Sequence, residues 1–225
     1  MPVLSNLDLK PQEEHILKRL GYFDNPKVGQ NLDISARLKE FYSNLNGLVA
    51  PSIAYDILDI NKVKSEAILV DGVWIEGYLL PMLFKDCQQF MVAACTIGPY
   101  LEQMVDRLLS EGNLLNAMLL DEIGNAAIYE LEDRCFEIAN KKAKEKDLTA
   151  SGCICPGQDG FALDEQAKIL ELVNAQEMGV TLTEFNIMCP RKSTTLVIGI
   201  GEEVSHWDKC EYCDMKYRCE YSYNY

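Results

Sequence analysis

The chain contains two histidines, His15 and His206, and neither lies near a nucleophile elbow. Ser–His–Asp and Cys–His catalysis are therefore left without their usual parts. No run of apolar residues approaches the ~18 needed to cross a bilayer, so no spanning helix is expected. The opening stretch "MPVLSNLDLKPQEEHILKRL" lacks the apolar core of a signal peptide, which points to a cytoplasmic protein. Positive charge is scarce: 21 Lys and Arg face 35 Asp and Glu, for a net charge of −14. Such a surface repels polyanions and excludes nucleic acid as a partner, while a basic face on another protein suits it. The "GIG" at 199–201 is no phosphate loop, because no lysine and helix follow it. Internal repeats and low-complexity tracts are also missing.

Cysteine, by contrast, is plentiful. There are nine, and the six beyond residue 150 are grouped. Cys153 and Cys155 flank one isoleucine, and Cys210, Cys213 and Cys219 lie in "CEYCDMKYRC". In a reducing compartment cysteines serve as ligands or redox groups more often than as disulfides. Three thiolates at these spacings converge readily on one soft metal but fall one short of a four-thiolate set. Cys153 or Cys155 is a candidate to complete it, with His206 as another ligand. Spacing alone does not separate zinc from an iron–sulfur cluster. A thiol-based redox enzyme is a further reading, and it requires an activated Cys153 or Cys155.

Hydrophobic periodicity divides the chain into an N-terminal arm (1–30), a domain (31–201) and a Cys-rich tail (202–225). A short helix is expected near Glu13–Leu20. A second follows Asp33, a candidate cap, with Ile34, Leu38, Phe41, Leu45 and Leu48 on one face. Ala67–Val70 and Val73–Ile75 flank Asp71–Gly72, a hairpin signal. Gln89–Gly98 is apolar on both faces and reads as a central strand. Gly98–Pro99 opens a helix that Gly112–Asn113 ends. A long helix runs from Leu114 to about Lys146, with Leu115, Leu119, Ile123, Ala127, Leu131 and Cys135 as its apolar stripe. Cys95 and Cys135 read as core residues, and acidic runs such as "ELED" as solvated faces. Thr149–Gly160 reads as a loop, Asp164–Met178 as a helix stopped by Gly179, and "VTLTEFNIM" and "STTLVIGIG" as a hairpin joined through "CPRK". Helices and strands mix without βαβ alternation, which predicts an α+β fold.

Several of these segments resemble one family. Pro156-Gly157 precedes a helix, Gly179 precedes Leu182-Thr183-Glu184, and Met188-x-Pro190-x-x-Ser193 follows. This order is similar to that of the activation (reactivation) domain of cobalamin-dependent methionine synthase. "CTIG" and "DEIGNAAIYELEDR" add weaker similarity, and the Cys-rich tail resembles that of stand-alone members. The resemblance covers about residues 35–201.

It implies a C-shaped α+β domain with a twisted antiparallel sheet flanked by helices. It also implies S-adenosylmethionine as ligand and a cobalamin-carrying methyltransferase module as partner, with an electron donor. Its activity would be the return of inactive Co(II) to the methylated state. The ligand-binding positions map onto Cys153, Ile154, Pro156, Gly157, Glu184, Ile198 and Gly199. Cys153 stands where the family has a carboxylate-binding arginine. Gln158, Ile198 and Gly199 stand where it has aromatic residues. On this reading Cys210, Cys213, Cys219, Cys153 and Cys155 hold an iron–sulfur cluster that delivers the electron. The alternative is a non-catalytic corrinoid-protein binding module with a structural zinc.

Overall fold

The structure is a computed structural model that describes residues 2–21, 33–202, 204 and 207. Its centre is a seven-stranded sheet in which every ladder is antiparallel. The strands are β1 (Val3–Ser5), β2 (Ser52–Lys64), β3 (Ala67–Val70), β4 (Val73–Glu76), β5 (Gln89–Thr96), β6 (Thr149–Ile154) and β9 (Ser193–Gly201). Their order is β4-β3-β2-β5-β9-β6, with β1 paired to the start of β2. Two further strands, β7 (Thr181–Leu182) and β8 (Met188–Cys189), form a separate small ladder. The helices are α1 (Glu13–Arg19), α2 (Ile34–Leu48), α3 (Leu80–Leu83), α4 (Tyr100–Ser110), α5 (Leu114–Lys144) and α6 (Gln166–Leu172).

The sheet has a core on each face because its central strand is apolar on both. Met91, Ala93 and Cys95 of β5 join Leu196, Ile198 and Ile200 of β9 beneath α5. Phe90, Val92 and Ala94 point the other way, into a core shared with Phe84, Phe161, Ile169 and Trp207. On α5 the stripe Leu119, Ile123, Ala127, Leu131 and Cys135 is fully buried. This is the four-residue spacing expected of a helix laid along a sheet. Asp71 and Gly72 both have positive φ (46° and 78°), as the tight hairpin between β3 and β4 requires.

Four expectations are corrected. Thr149–Gly160 is not all loop: its first half is the edge strand β6, with a register irregularity between Ala150 and Cys153. Gly152, read as a loop signal, lies in that irregularity. The helix expected over Asp164–Met178 is broken at Asn174, which sits at φ 50°, and α6 ends at Leu172. The hairpin does not close through "CPRK". Thr183 Oγ1 accepts from the amides of Phe185 (3.3 Å) and Ile187 (3.1 Å), turning the chain after two strand residues. "CPRK" instead runs from the small ladder to the main sheet. It contains a cis Cys189–Pro190 bond, and Arg191 binds both oxygens of Asp106 at 2.8 Å on α4. Asp33 makes no side-chain cap to α2 and lies in the left-handed region at φ 52°.

Burial sets a limit on alkaline stability. It pushes the Cys87 thiol up to about 12, with the Asp86 charge adding to the effect. It pushes the Tyr42 hydroxyl up to about 12 as well, with Glu13 adding. Both groups stay neutral in the fold while the unfolded chain releases these protons from about pH 9–10. Stability is therefore complete below that range and falls between roughly pH 9 and 12. Denaturant midpoints measured from pH 8 to 11 should decline, and less steeply in Cys87→Ala; a flat profile would contradict this.

Candidate functional site

β6 carries the cysteine pair to an edge of the sheet. Cys153 lies opposite Ile198 and Ile154 opposite Val197 on β9. Alternation then divides the segment. Cys153 and Cys155 pack on the α5 side, while Ile154 enters the opposite core. In the irregularity before them, Ser151 Oγ accepts a hydrogen bond from the Gly199 amide at 2.9 Å. Gly152 must lack a side chain, because a Cβ there would meet the Trp207 carbonyl oxygen and, at 2.8 Å, its ring.

Beyond Ile154 the chain forms a closed turn. The Gln158 amide donates to the Cys155 carbonyl (3.1 Å) and the Gly157 amide to the Phe161 carbonyl (2.8 Å). The Gln158 side chain accepts from the Cys155 amide at 2.7 Å. Phe161, 1% exposed, anchors the turn in the core. Gly157 and Gly160 take φ of 93° and 75°, and a Cβ at Gly160 would lie 2.5 Å from Leu79. Gln158 thus braces its own loop.

Under Cys155 lies Glu132 of α5, 8% exposed. Its Oε1 accepts from Thr194 Oγ1 at 3.4 Å and faces Cys155 Sγ at 3.9 Å. For Glu132 this corrects the reading of "ELED" as a solvated face, whereas Asp133 is exposed as expected. Glu132 precedes Cys135 by three residues and so borders the buried stripe, the one signal that could have revealed it. Cys135 Sγ in turn touches Cys95 Sγ at 3.4 Å. That hydrogen bond, then burial, holds the Cys95 thiol well above the usual thiol range.

On its other side the turn borders an open cleft of about 920 Å³, lined by Lys64, Glu66, Trp74, Tyr78, Asp159 and Glu165 among others. Lys64 Nζ stands 3.8 Å from the centre of the Trp74 ring. Glu165, 5% exposed, accepts from the Glu76 amide (2.8 Å) and from Lys168 Nζ (2.7 Å). These bonds fix the beginning of α6 to β4 and make one wall firm. The volume is within the range of small-molecule sites.

The remaining candidates are dispersed. Pro156 and Gly157 lie in the turn with Cys155. Ile198 is fully buried beneath α5, and Gly199 lies in the opposite core against Phe84 and Cys87, so neither reaches the cleft. Glu184 is exposed on the turn between β7 and β8. Cys210, Cys213, Cys219 and His206 lie outside the described residues. Among the described residues, no group of three or more His, Cys, Asp or Glu could hold a metal ion. No helix among them is long and apolar enough to cross a membrane.

No family model and no curated protein matches this sequence. Among solved structures, the crystal structure of the MetH reactivation domain bound to AdoHcy aligns with a TM-score of 0.60 at 14% identity, over 89% of this chain and 73% of that one. The fold of this chain, a mixed helical and antiparallel-sheet architecture, is that of the MetH reactivation domain.

Proposed function

We propose that this protein is a reductive activator of a corrinoid methyltransferase, of the kind found in a split methionine synthase. The observation that carries the reading is the Cys153–Gly157 segment. Its Pro156-Gly157 pair resembles the family's ligand-binding loop, and Gly157 lines a cleft of ligand size in a chain with that fold. The ligand is S-adenosylmethionine, which supplies a methyl group for cobalamin on the partner protein. Of the residues proposed to hold it, Gly157 lines the cleft, Cys153, Ile154 and Pro156 belong to the strand and turn that carry it, and Glu184 is exposed on the turn between β7 and β8. Ile198 and Gly199 support this segment from within the sheet. The acidic cleft favours a ligand whose reactive centre is a cation. The task of these residues is positioning, because the cofactors carry the difficult chemistry.

Cys153 and Cys155 are two of the thiols for an iron–sulfur cluster, with Cys210, Cys213 and Cys219 as the others. The chain's path supports this. Trp207 packs directly on Gly152, one residue before Cys153. Cys210 follows Trp207 by three residues in the sequence.

Calorimetric titration with S-adenosylmethionine tests the ligand assignment. Saturable binding, weakened at least tenfold by Gly157→Val, is expected. The loop also favours a second reading, because Gln158 braces the turn where the family has a stacking ring. In that reading the protein docks on a corrinoid protein without catalysis and holds zinc. Absence of S-adenosylmethionine binding by a protein that still captures a corrinoid-loaded methyltransferase module would select it.

A further inference from the structure

The two sulfurs at the heart of the α5-side core belong to rigid elements, one to the central strand and one to the long helix. Cys95 Sγ and Cys135 Sγ are 3.4 Å apart, and both residues are 0% exposed. A disulfide requires about 2.05 Å, so bonding calls for an approach of little more than an ångström. The surroundings form a closed circuit. Cys95 lies opposite Thr194 on β9. Thr194 donates to Glu132, which lies one helical turn before Cys135 and faces the half-buried Cys155. A movement of Cys135 toward Cys95 therefore carries Glu132 with it and alters the surroundings of Cys155.

We propose that Cys95 and Cys135 form a peroxide-driven disulfide that staples α5 to β5 and signals the redox state to the Cys155 loop. Hydrogen peroxide is the oxidant. One thiol takes a hydroxyl from the peroxide to become a sulfenic acid, releasing water. The other sulfur then displaces that hydroxyl as a second water, so two thiols and one peroxide give one disulfide and two waters. Full burial sets the selectivity: a water-sized oxidant needs only a small fluctuation of the core to reach the pair, whereas a bulky disulfide such as oxidised glutathione is excluded. Burial also makes the reaction slower than oxidation of the exposed Cys189. The cross-link does not depend on what the loop binds; its signalling half is read on protein without a cluster, because Cys155 is one of the proposed ligands.

The test uses the full chain with Cys189→Ser, which removes an exposed competitor. The folded protein is treated with hydrogen peroxide, alkylated, and mapped by peptide mass spectrometry without reduction. A Cys95–Cys135 cross-linked pair is expected, with a loss of 2 Da, reversal by dithiothreitol, and no product with oxidised glutathione. The cross-linked form should melt several degrees higher, and its Cys155 should react with iodoacetamide at a rate changed at least twofold. Recovery of Cys95 and Cys135 as alkylated thiols, after peroxide has oxidised other cysteines, would overturn the proposal. A cross-link with an unchanged Cys155 rate would overturn its signalling half. Cys135→Ser serves as a second check: cross-linking of Cys95 to a different cysteine in that variant would show that contact geometry does not select the partner.

Discussion

Gly199→Ala is expected to destabilise the protein by about 3 kcal/mol, although it adds one methyl group. The added carbon would meet Cys87 Sγ and would lie 2.5 Å from Phe84 Cδ1. Neither neighbour can move freely. Phe84 is fully buried, packed edge-to-face on Phe90 at 4.7 Å and on Trp207 at 5.9 Å. Cys87 is held by the hydrogen bond that its amide donates to the Phe84 carbonyl at 3.0 Å. Displacing this cluster also disturbs Ser151, which binds the Gly199 amide in the irregularity just before the cysteine pair. A loss of this size is a large share of the ~5–15 kcal/mol that domains possess. Gly112→Ala is the control. Its φ of 76° makes alanine unfavourable, but nothing lies within 4 Å of the new carbon, so about 1 kcal/mol is expected. Urea unfolding of the two variants measures both costs. Equal costs would show that close packing at Gly199 does not set its identity.

The second large effect concerns metal content. Protein produced without oxygen is expected to be brown, with broad charge-transfer absorption and bound iron and sulfide. Cys210→Ser/Cys213→Ser/Cys219→Ser should lose the iron entirely. Cys153→Ser/Cys155→Ser should lose most of it while keeping its helical circular dichroism, since both side chains lie at the margin of the core. Removal of thiolates abolishes a site that needs about four of them. A colourless protein with stoichiometric zinc would remove the electron-transfer role and favour the binding-module reading. Iron retained by the Cys153/Cys155 double variant would confine the centre to the tail.

These outcomes bear on how far residues alone lead to structure. The α5 stripe was legible because six apolar positions repeat at one spacing without interruption by proline. β5 was legible as a central strand because both of its faces are apolar. β2, the longest strand, was not foreseen. Asp56, Asp59, Asn61, Lys62 and Lys64 break its pattern, and its outer half is largely exposed. Thr149–Ile154 was hidden by Gly152, a residue usually read as punctuation, whose actual role is to admit Trp207.

The candidate site divides along the same line. Cys153, Cys155, Pro156 and Gly157 are contiguous, so their grouping is a property of the chain. Glu132, Thr194 and Cys155 come together only through the register of β9 against β5 and β6 and the rotation of α5. Charge patterning assigned Glu132 to solvent, and only packing places it under the loop. Cys95 and Cys135 were each recognisable as core residues, but their contact depends on where the long helix crosses the central strand.

The central claim is that this chain restores a corrinoid methyltransferase with S-adenosylmethionine. Its most direct test is an anaerobic assay with a Co(II)-cobalamin methionine synthase lacking its own reactivation domain, a chemical reductant, and S-adenosylmethionine labelled in its methyl group. Methylcobalamin formation that requires this protein, and that falls at least tenfold with Gly157→Val, is the expected result. Label transfer at the same rate with and without the protein would contradict it.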